Sequence, residues 1–326
     1  MRDLLDLPKA HLHVHLEGAV RWSTLREIGT ANRVAVPDPP RGFTGFADFF
    51  ARKDLVRRCL CRPEDFRRVA VEFCADEAAQ GTRYAELSFT AAAHGERLGD
   101  LAMPLAGVLD GLAEGAARYG VETRVILDHS RRRSVDRAWN TLDLARRYEE
   151  VVGIGLAGDE AYPAAPFADV FRAARDAGLH VVHHAGEAAG PDSIREAVQV
   201  GHAERIGHGI RVLSDDALVS ELVDRRIPLE VCPSSNVALG FVPSLAAHPL
   251  PALRDAGLTV TLNTDDPSLV GTSLTAEYTR VRDSFGYDNA TLADLATAGV
   301  DASYAPEPTK ARLRTGIADW LGVSRR

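Results

Sequence analysis

The most constraining feature of the sequence is a regular alternation of short apolar runs with longer amphipathic segments. The short runs are typical of strands buried on both faces, and the longer segments carry apolar residues at helical spacing. Predicted strands cover 9–14, 82–89, 121–128, 151–156, 180–184, 205–208, 228–232 and 258–263. Predicted helices cover 64–80, 101–119, 134–149, 166–177, 191–202, 215–226, 246–256, 273–285 and 289–322. Eight such repeats predict an α/β fold, a parallel (β/α)8 TIM barrel with additional helices after the first strand and at the C-terminus.

Length and composition agree with one large barrel. The chain has 326 residues without a linker-like or low-complexity segment, so we expect a single domain over 1–326. With 45% hydrophobic and 26% charged residues it reads as globular. A net charge of −8 argues against a nucleic acid polymer as partner. The dense basic cluster Arg131–Arg133 is predicted to be a solvated loop.

The N-terminal stretch MRDLLDLPKAHLHVH has neither the apolar core nor the cleavage site of a secretory signal, and no segment has the length of a membrane span. We therefore expect a cytoplasmic protein that does not bind membranes. Cys59, Cys61, Cys74 and Cys232 lack zinc-knuckle or CxxC spacing and are predicted to be reduced thiols.

Polar residues that suit metal binding lie at the predicted strand ends. His13 and His15 end the first strand, His184 the fifth and His208 the sixth, and Asp265 follows the eighth. Alternate strand residues point to the same face, so His13 and His15 can both face inward. An isolated HxH is more often the polar face of an ordinary strand. All strand ends of a (β/α)8 barrel meet at one mouth, however, which favours a metal site.

Three imidazoles and a carboxylate suit a zinc-like ion that leaves one position for water. Glu187, three residues beyond His184 in HHAGE, can reach the same cavity as a general acid/base with a raised pKa. The alternative for Glu187 is an ordinary carboxylate at a helix N-terminus. His183 alternates with His184 and is expected to be a buried structural residue facing the helices.

Six segments, in order, carry a resemblance to a known family. They are PKAHLHVHLEG (8–18), GLAGDE (155–160), HAGE (184–187), RIGHG (205–209), CPSSN (232–236) and NTDDP (263–267). In this order and spacing the chain resembles the adenosine deaminase family of the amidohydrolase superfamily. The resemblance implies a zinc-containing barrel that hydrolytically removes the 6-amino group of an adenine ring and releases ammonia.

The resemblance also implies which residues hold the metal. His13, His15, His184 and Asp265 would bind one Zn²⁺ per chain. Iron or manganese could fill the same set of ligands.

Residue roles in the reaction follow from the same resemblance. Glu187 would protonate N1 of the purine, while His208 would orient and help deprotonate the attacking water. Asp266 would hydrogen-bond N7, as both a catalytic and a substrate-binding residue. Gly158 would let its backbone N–H approach N3, which a residue without a side chain allows.

Three further predictions concern the surroundings of the site. Phe46 and Phe49, with Phe50, lie where the family places a helix over the substrate, and they either wall the purine pocket or form an ordinary buried helix face. Asn236 is expected to brace the mouth through its amide. Lys9 is expected to be a surface charge rather than a ligand.

Two other classes of protein fit the sequence less well. Binuclear amidohydrolases bridge their metals with a lysine at the end of the fourth strand, where this chain reads GIGLAGDE, so a two-metal enzyme is disfavoured. A non-catalytic purine-binding barrel is the other alternative. The four ligands and Glu187 argue against it.

The substrate is less constrained than the reaction. Glu17 stands where adenosine deaminases commonly carry an aspartate for the ribose 5′-hydroxyl, so Glu17 is a candidate substrate-binding residue. Gly155 replaces a frequent aspartate and Ser88 a frequent arginine. The expected partner is a small purine nucleoside, with adenosine first. A 5′-modified adenosine such as 6-aminodeoxyfutalosine comes close behind, and free adenine is the further alternative.

Overall fold

The computed structural model describes residues 2–38, 42–43 and 45–322. Within them the strands are β1 (Lys9–His15), β2 (Thr82–Phe89), β3 (Glu122–Ser130), β4 (Val151–Ala157), β5 (His180–Ala185), β6 (Arg205–His208), β7 (Leu229–Val231) and β8 (Val260–Leu262). The first eight helices are α1 (Leu16–Ala19), α2 (Trp22–Ala31), α3 (Phe46–Cys59), α4 (Pro63–Ala79), α5 (Ala91–Leu98), α6 (Met103–Tyr119), α7 (Val135–Ala145) and α8 (Ala168–Asp176). The remaining helices are α9 (Pro191–Gln199), α10 (Asp216–Asp224), α11 (Pro233–Ala238), α12 (Leu250–Asp255), α13 (Pro267–Val270), α14 (Leu274–Phe285), α15 (Asn289–Ala302) and α16 (Glu307–Leu321).

The strands form one parallel sheet in the order β1 to β8. Asp265, just beyond β8, brings the last strand back to the first. The His15 N–H donates to the Asp265 carbonyl oxygen at 2.8 Å, and the Asp265 N–H donates to the His13 carbonyl oxygen at 3.0 Å. The predicted (β/α)8 barrel is confirmed, and all eight predicted strands agree within two residues at either end.

The predicted helix over 289–322 is wrong as a single element. The structure divides it into α15 and α16, separated by residues 303–306. Pro306 has no N–H to donate to the preceding turn and disfavours a helical conformation at Ala305, so the first helix ends before it.

Several short helices that the periodicity did not predict lie at the mouth of the barrel. Helices α1, α5, α11 and α13 directly follow β1, β2, β7 and β8. Together with α3, the additional helix expected after the first strand, they occupy the end of the barrel where the candidate site residues lie.

The prediction that Lys9 is a surface charge is wrong. Its side chain is fully buried at the opposite end of the barrel. The Lys9 Nζ donates to the carbonyl oxygens of Leu7 and Gln80, each at 2.8 Å, and to that of Leu4. These carbonyl groups compensate the amine for the water that it loses.

The prediction of a solvated loop fails for Arg131, although Arg132 is exposed and Arg133 half-buried. The Arg131 guanidinium is buried and donates to the carbonyl oxygens of Tyr162 and His184 at 2.9 and 2.8 Å. It therefore ties the loop after β3 to the end of β5.

The four cysteines are free thiols, as predicted. In the part of the chain that the structure describes, no helix combines the length and the apolar character needed to cross a bilayer.

Candidate metal centre and active site

The predicted metal ligands converge at the mouth of the barrel. The inward face of β1 supplies His13 and His15, the end of β5 supplies His184, and Asp265 follows β8. The His15 Nε2 lies 3.0 Å from the His184 Nε2 and 3.2 Å from Oδ1 of Asp265, and the His13 Nε2 lies 3.6 Å from the same oxygen. One carboxylate oxygen thus faces two imidazoles, and a third imidazole adjoins them.

This arrangement fits a metal ion. Nitrogen and oxygen ligands about 2.0–2.1 Å from zinc in tetrahedral geometry lie roughly 3.3 Å apart, close to the spacing of these atoms. The His13 Nε2 is buried and has no hydrogen-bond partner among the described residues. An orphaned buried nitrogen pointing at a carboxylate and two other imidazoles is what a ligand shell without its ion leaves behind.

A chain of buried charges orients His13 from behind. The His13 Nδ1 lies 3.0 Å from Oε2 of Glu230, whose other oxygen accepts from the Arg205 Nε at 2.6 Å. Burial acts to lower the pKa of His13, but the neighbouring carboxylates of Asp265 and Glu230 raise it to about 9. Without a metal this ring holds a proton, and metal binding must release it.

Asp128 supports His15 in the same way, with its Oδ2 3.3 Å from the His15 Nδ1. A Cβ at Gly155 would lie 2.6 Å from both the Asp128 Oδ1 and the Val182 carbonyl oxygen. The glycine on β4 therefore makes room for a carboxylate on β3. Position 155, where the family frequently has an aspartate, therefore supplies no carboxylate to His15, and Asp128 supplies one from the neighbouring strand.

Glu187 and His208 are joined by Asn236. The Asn236 Nδ2 donates to Oε1 of Glu187 at 2.9 Å and lies 3.3 Å from the His208 Nδ1, while the His248 Nε2 holds the Asn236 carbonyl oxygen at 3.2 Å. Burial, reinforced by the charges of Asp265 and Glu160, raises the pKa of Glu187 well above its ordinary value. Its carboxyl group therefore holds a proton at a pH where an exposed glutamate has lost it.

Glu160 holds the turn that carries Glu187. Its Oε1 accepts from the backbone N–H groups of Glu187 and Ala188 at 2.9 and 2.7 Å, and more weakly from Ala189 at 3.4 Å. Its Oε2 accepts from the Gly186 N–H at 2.7 Å and from the Ser193 hydroxyl at 2.5 Å. Five donors on one carboxylate fix the backbone of the turn.

Asp266 is fully buried and faces Lys53 of α3, whose Nζ lies 3.1 and 3.2 Å from the two carboxylate oxygens. Burial raises the pKa of Asp266 to about 6, against the opposing charge of Lys53. Gly18 allows this placement, because a Cβ there would lie 1.9 Å from Oδ1 of Asp266.

Two site residues have strained backbones. His208 and Asp265 have φ values of 66° and 65°, in the left-handed region that residues with a side chain rarely adopt. Such conformations cost on the order of 1–3 kcal/mol each and persist only where the surroundings enforce them. Both residues sit where a strand has just ended, so the strain aims their side chains into the mouth.

A cavity of about 540 Å³ opens beside this cluster. His15, Asp128 and Gly158 line its inner end, and Phe50 of α3 lines its side. Phe49 is not among the described lining residues. Its buried ring packs edge-on against Phe43, 5.6 Å between centroids, which is the contact expected of the alternative, an ordinary buried helix face. The side chain of Phe46 lies outside the described residues.

Glu17 also lines the cavity and is buried. Its Oε1 accepts from the Thr90 N–H at 3.1 Å and lies 3.3 Å from the His94 Nε2, whereas Oε2 is buried with no partner in the described chain. Burial acts to raise the pKa of Glu17, but the bond with His94 and nearby positive charge lower it to about 2. Glu17 is thus an ionised carboxylate with one oxygen that can still accept a hydrogen bond.

His183 is fully buried, as expected, and packs among the helices. Its Nε2 lies 2.9 Å from the Gly201 carbonyl oxygen, and its ring centroid is 4.2 Å from that of Phe171. Burial lowers its pKa to about 3, so the ring is neutral.

Sequence reasoning missed three residues of the site. Asp128 ends the predicted third strand, 121–128, and could have been found by the strand-end rule that found the histidines. Lys53 lies four residues after Phe49 and three after Phe50, so helical spacing alone places it beside them. Glu230 lies within β7 in an apolar run, and the only sequence signal for a role in the site is a charged residue inside a buried strand.

Comparison with known proteins shows that the chain is similar to deaminases along nearly its whole length. The adenosine deaminase family model matches residues 8–320. A putative adenosine/adenine deaminase of Streptomyces coelicolor is 37% identical, and the alignment covers 98% of each chain. An aminodeoxyfutalosine deaminase of the same organism is 38% identical, over 98% of this chain and 86% of that protein.

Solved structures of a deaminase and of an amidohydrolase are similar to this chain over nearly its whole length. An adenine deaminase from Arthrobacter aurescens superposes with a TM-score of 0.92 at 32% identity, covering 97% of this chain and 99% of that one. An amidohydrolase from Burkholderia ambifaria with bound zinc has a TM-score of 0.89 at 27% identity, covering 98% and 92%.

Proposed function

The chain belongs to the adenosine deaminase family and is a hydrolytic deaminase, and from that premise we propose that it removes the 6-amino group of an adenine-containing nucleoside with the help of one zinc ion. Adenosine is the simplest such substrate, and inosine and ammonia are the products. The observation that carries the nucleoside assignment is the cavity beyond the ligand cluster.

The reaction adds water across the C6–N6 position of the purine. The oxygen of water bonds to C6, the C6–N6 bond breaks, and N6 leaves as ammonia with protons from water and from the protein. A zinc ion bound by His13, His15, His184 and Asp265 would lower the pKa of a water molecule towards neutrality and so supply the nucleophile.

The protein's own side chains then manage protons and orientation. Glu187, protonated because it is buried, donates to N1 and makes C6 more electrophilic. His208 is kept neutral by burial, which lowers its pKa, so its ring nitrogen can accept a hydrogen bond from the attacking water, orient that water and help to deprotonate it. Asp266 bonds N7, and the Gly158 N–H approaches N3.

The cavity supports a nucleoside rather than a free base. Its volume lies within the range of about 300–1,000 Å³ typical of pockets that enclose whole ligands, and a bare purine would leave much of it empty. The ring would sit against the ligand cluster with N3 at Gly158. The ribose would then point towards Glu17, whose Oε2 is buried without a partner and can accept from a hydroxyl.

The test is to measure zinc content and ammonia release on the same preparation with adenine, adenosine and a 5′-modified adenosine. We expect one zinc per chain and a kcat/KM for at least one nucleoside above that for adenine. A preference for free adenine of a hundredfold or more would overturn the nucleoside assignment. Well-folded protein that binds no metal and releases no ammonia would overturn the enzyme itself.

A further inference from the structure

The cavity has two walls of opposite character. Its inner end carries the carboxylates of Glu17 and Asp128 next to His15. A second part of the lining, near the ends of α3 and α5 and the start of α7, carries four guanidinium groups and is called the outer wall. They belong to Arg57, Arg97, Arg133 and Arg137.

The outer wall has more positive charge than its own carboxylates neutralise. Of the four carboxylates among the described lining residues, only those of Asp54 and Glu96 form ion pairs with these arginines. Glu96 is shared between Arg133 and Arg137, and Asp54 between Arg57 and Arg58. In a chain whose net charge is −8, a local excess of positive charge inside a cavity attracts an anion.

Arg97 is the clearest case. Its Nη2 donates to the Leu60 carbonyl oxygen and its Nη1 lies 3.8 Å from the Cys61 Sγ, so its hydrogen bonds go to neutral groups. Its Nε is buried without a partner, and within the described residues no carboxylate pairs with it. A half-buried guanidinium fixed by a carbonyl group and lacking a counter-ion is already oriented for one.

Helix α5 relates this charge to the substrate, because the Glu17 carboxylate accepts from Thr90 at its start and Arg97 lies in its last turn. With the purine at the ligand cluster and the ribose at Glu17, the 5′ carbon points away from the metal centre. Whatever is attached there continues towards the outer wall. This step rests on the proposed function.

We propose that the outer wall is a subsite for an anionic group attached to the ribose 5′ carbon, so that the physiological substrate is an anionic 5′-substituted adenosine. Arg97 is its principal contact, and Arg133 and Arg137 supply further charge. Phosphate and carboxylate share the required chemistry, because each presents planar or clustered oxygens to a guanidinium fork.

The experiment compares adenosine with adenosine 5′-monophosphate and adenosine-5′-carboxylate on the zinc-loaded enzyme. We expect kcat/KM for at least one anionic compound to exceed that for adenosine at least tenfold at low ionic strength, and the advantage to shrink as salt is added. The preferred compound distinguishes phosphate from carboxylate. Adenosine deaminated as well as both anionic compounds would overturn the subsite.

Variants locate the subsite. Arg97→Gln and Arg133→Gln are each expected to lower the ratio of kcat/KM for the anionic compound over adenosine about tenfold. Arg118→Gln is the matched control, because Arg118 is an exposed arginine of α6 paired with Glu114. An unchanged ratio in both cavity variants would refute the assignment, and the salt dependence of the unaltered enzyme tests it even if Arg97→Gln folds poorly.

Calorimetric binding separates this inference from the proposed function. The same compounds, titrated into wild type and Arg133→Gln without turnover, should show tighter binding of the anion that the variant weakens. An anion preference without ammonia release would refute the deaminase and keep the subsite. Ammonia release with no anion preference would refute the subsite and keep the deaminase.

Discussion

Replacing Glu160 by glutamine should separate the placement of Glu187 from its chemistry. Glu160 contacts the turn of residues 186–189 only through its carboxylate, and nothing in its geometry places it against the substrate. Glutamine keeps the size of the side chain but turns one acceptor oxygen into an NH₂ donor. The orientation that loses the fewest hydrogen bonds places the NH₂ group at the position of Oε2. The Ser193 hydroxyl can rotate and accept from this group, but the Gly186 N–H is itself a donor and loses its acceptor.

The expected cost follows from these bonds. Hydrogen bonds to a charged group contribute about 1.5–3 kcal/mol each, and one is lost outright while the others weaken, so we expect a loss of about 2–4 kcal/mol. With an unfolding entropy of about 2.1 cal/mol/K per residue over 326 residues, each kcal/mol lowers Tm by about 1.5 °C. The expected decrease is therefore about 3–6 °C. A displacement of Glu187 of about 1 Å should also reduce kcat roughly a hundredfold.

The assay measures Tm, zinc content and steady-state ammonia release for Glu160→Gln and for Asp159→Asn. Asp159 is the matched control, since it lies on the same loop, is equally half-buried, and its Oδ1 accepts locally from the Ala161 N–H at 3.0 Å. We expect the control to keep kcat and the Glu160 variant to keep zinc. A Glu160→Gln enzyme with near-normal kcat, or a control with the same loss, would refute the reasoning.

Other variants test the remaining parts of the site and the fold. Glu187→Gln should retain zinc and lose most activity, whereas His15→Ala should lose both, and near-normal turnover of the first would contradict the acid role. Because the pKa of Glu187 is raised, its proton persists to a higher pH than that of an exposed glutamate and is lost as pH rises further, so kcat should fall on the alkaline side in a profile measured at saturating substrate. Glu230→Gln should weaken zinc affinity about 10–100-fold in a chelator competition, since it orients His13, and unchanged affinity would exclude that role. Lys9→Met should lower Tm by several degrees without altering zinc content, because three carbonyl groups lose their donor; an unchanged Tm would show that water replaces it.

The parts of the site that the sequence predicted obey local rules. His13 and His15 follow from strand alternation, and the gathering of His184 and Asp265 with them follows from the topology of a parallel barrel. Each inference needs only the order of strands and helices and the direction of a side chain. The period of the apolar residues along the chain indicates the order of the elements and also the face on which each residue lies.

The parts that could not be predicted depend on contacts between distant segments. The sequence predicts a surface charge at Lys9, since no local pattern shows that the carbonyl groups of residues 4, 7 and 80 converge on its amine. The choice between Phe49 and Phe50 as cavity wall depends on how α3 is rotated about its axis, which helical spacing leaves undetermined. The position of Asp128 at a strand end could have been predicted, but the fit of its carboxylate into the space beside Gly155 depends on the register of β3 and β4.

Asp265 shows why ligand geometry in this barrel does not depend on the metal alone. Its backbone joins β8 to β1 by two hydrogen bonds with the very strand that carries His13 and His15, and its side chain accepts from the Ser235 hydroxyl at 2.7 Å. The same closure holds its φ at 65°, so the strain of this residue is offset by bonds that complete the barrel. Folding therefore brings one carboxylate and two imidazoles together before any ion arrives. The candidate metal centre is preorganised by the last connection of the sheet, and a substitution that loosens that connection should impair metal binding even where every candidate ligand remains.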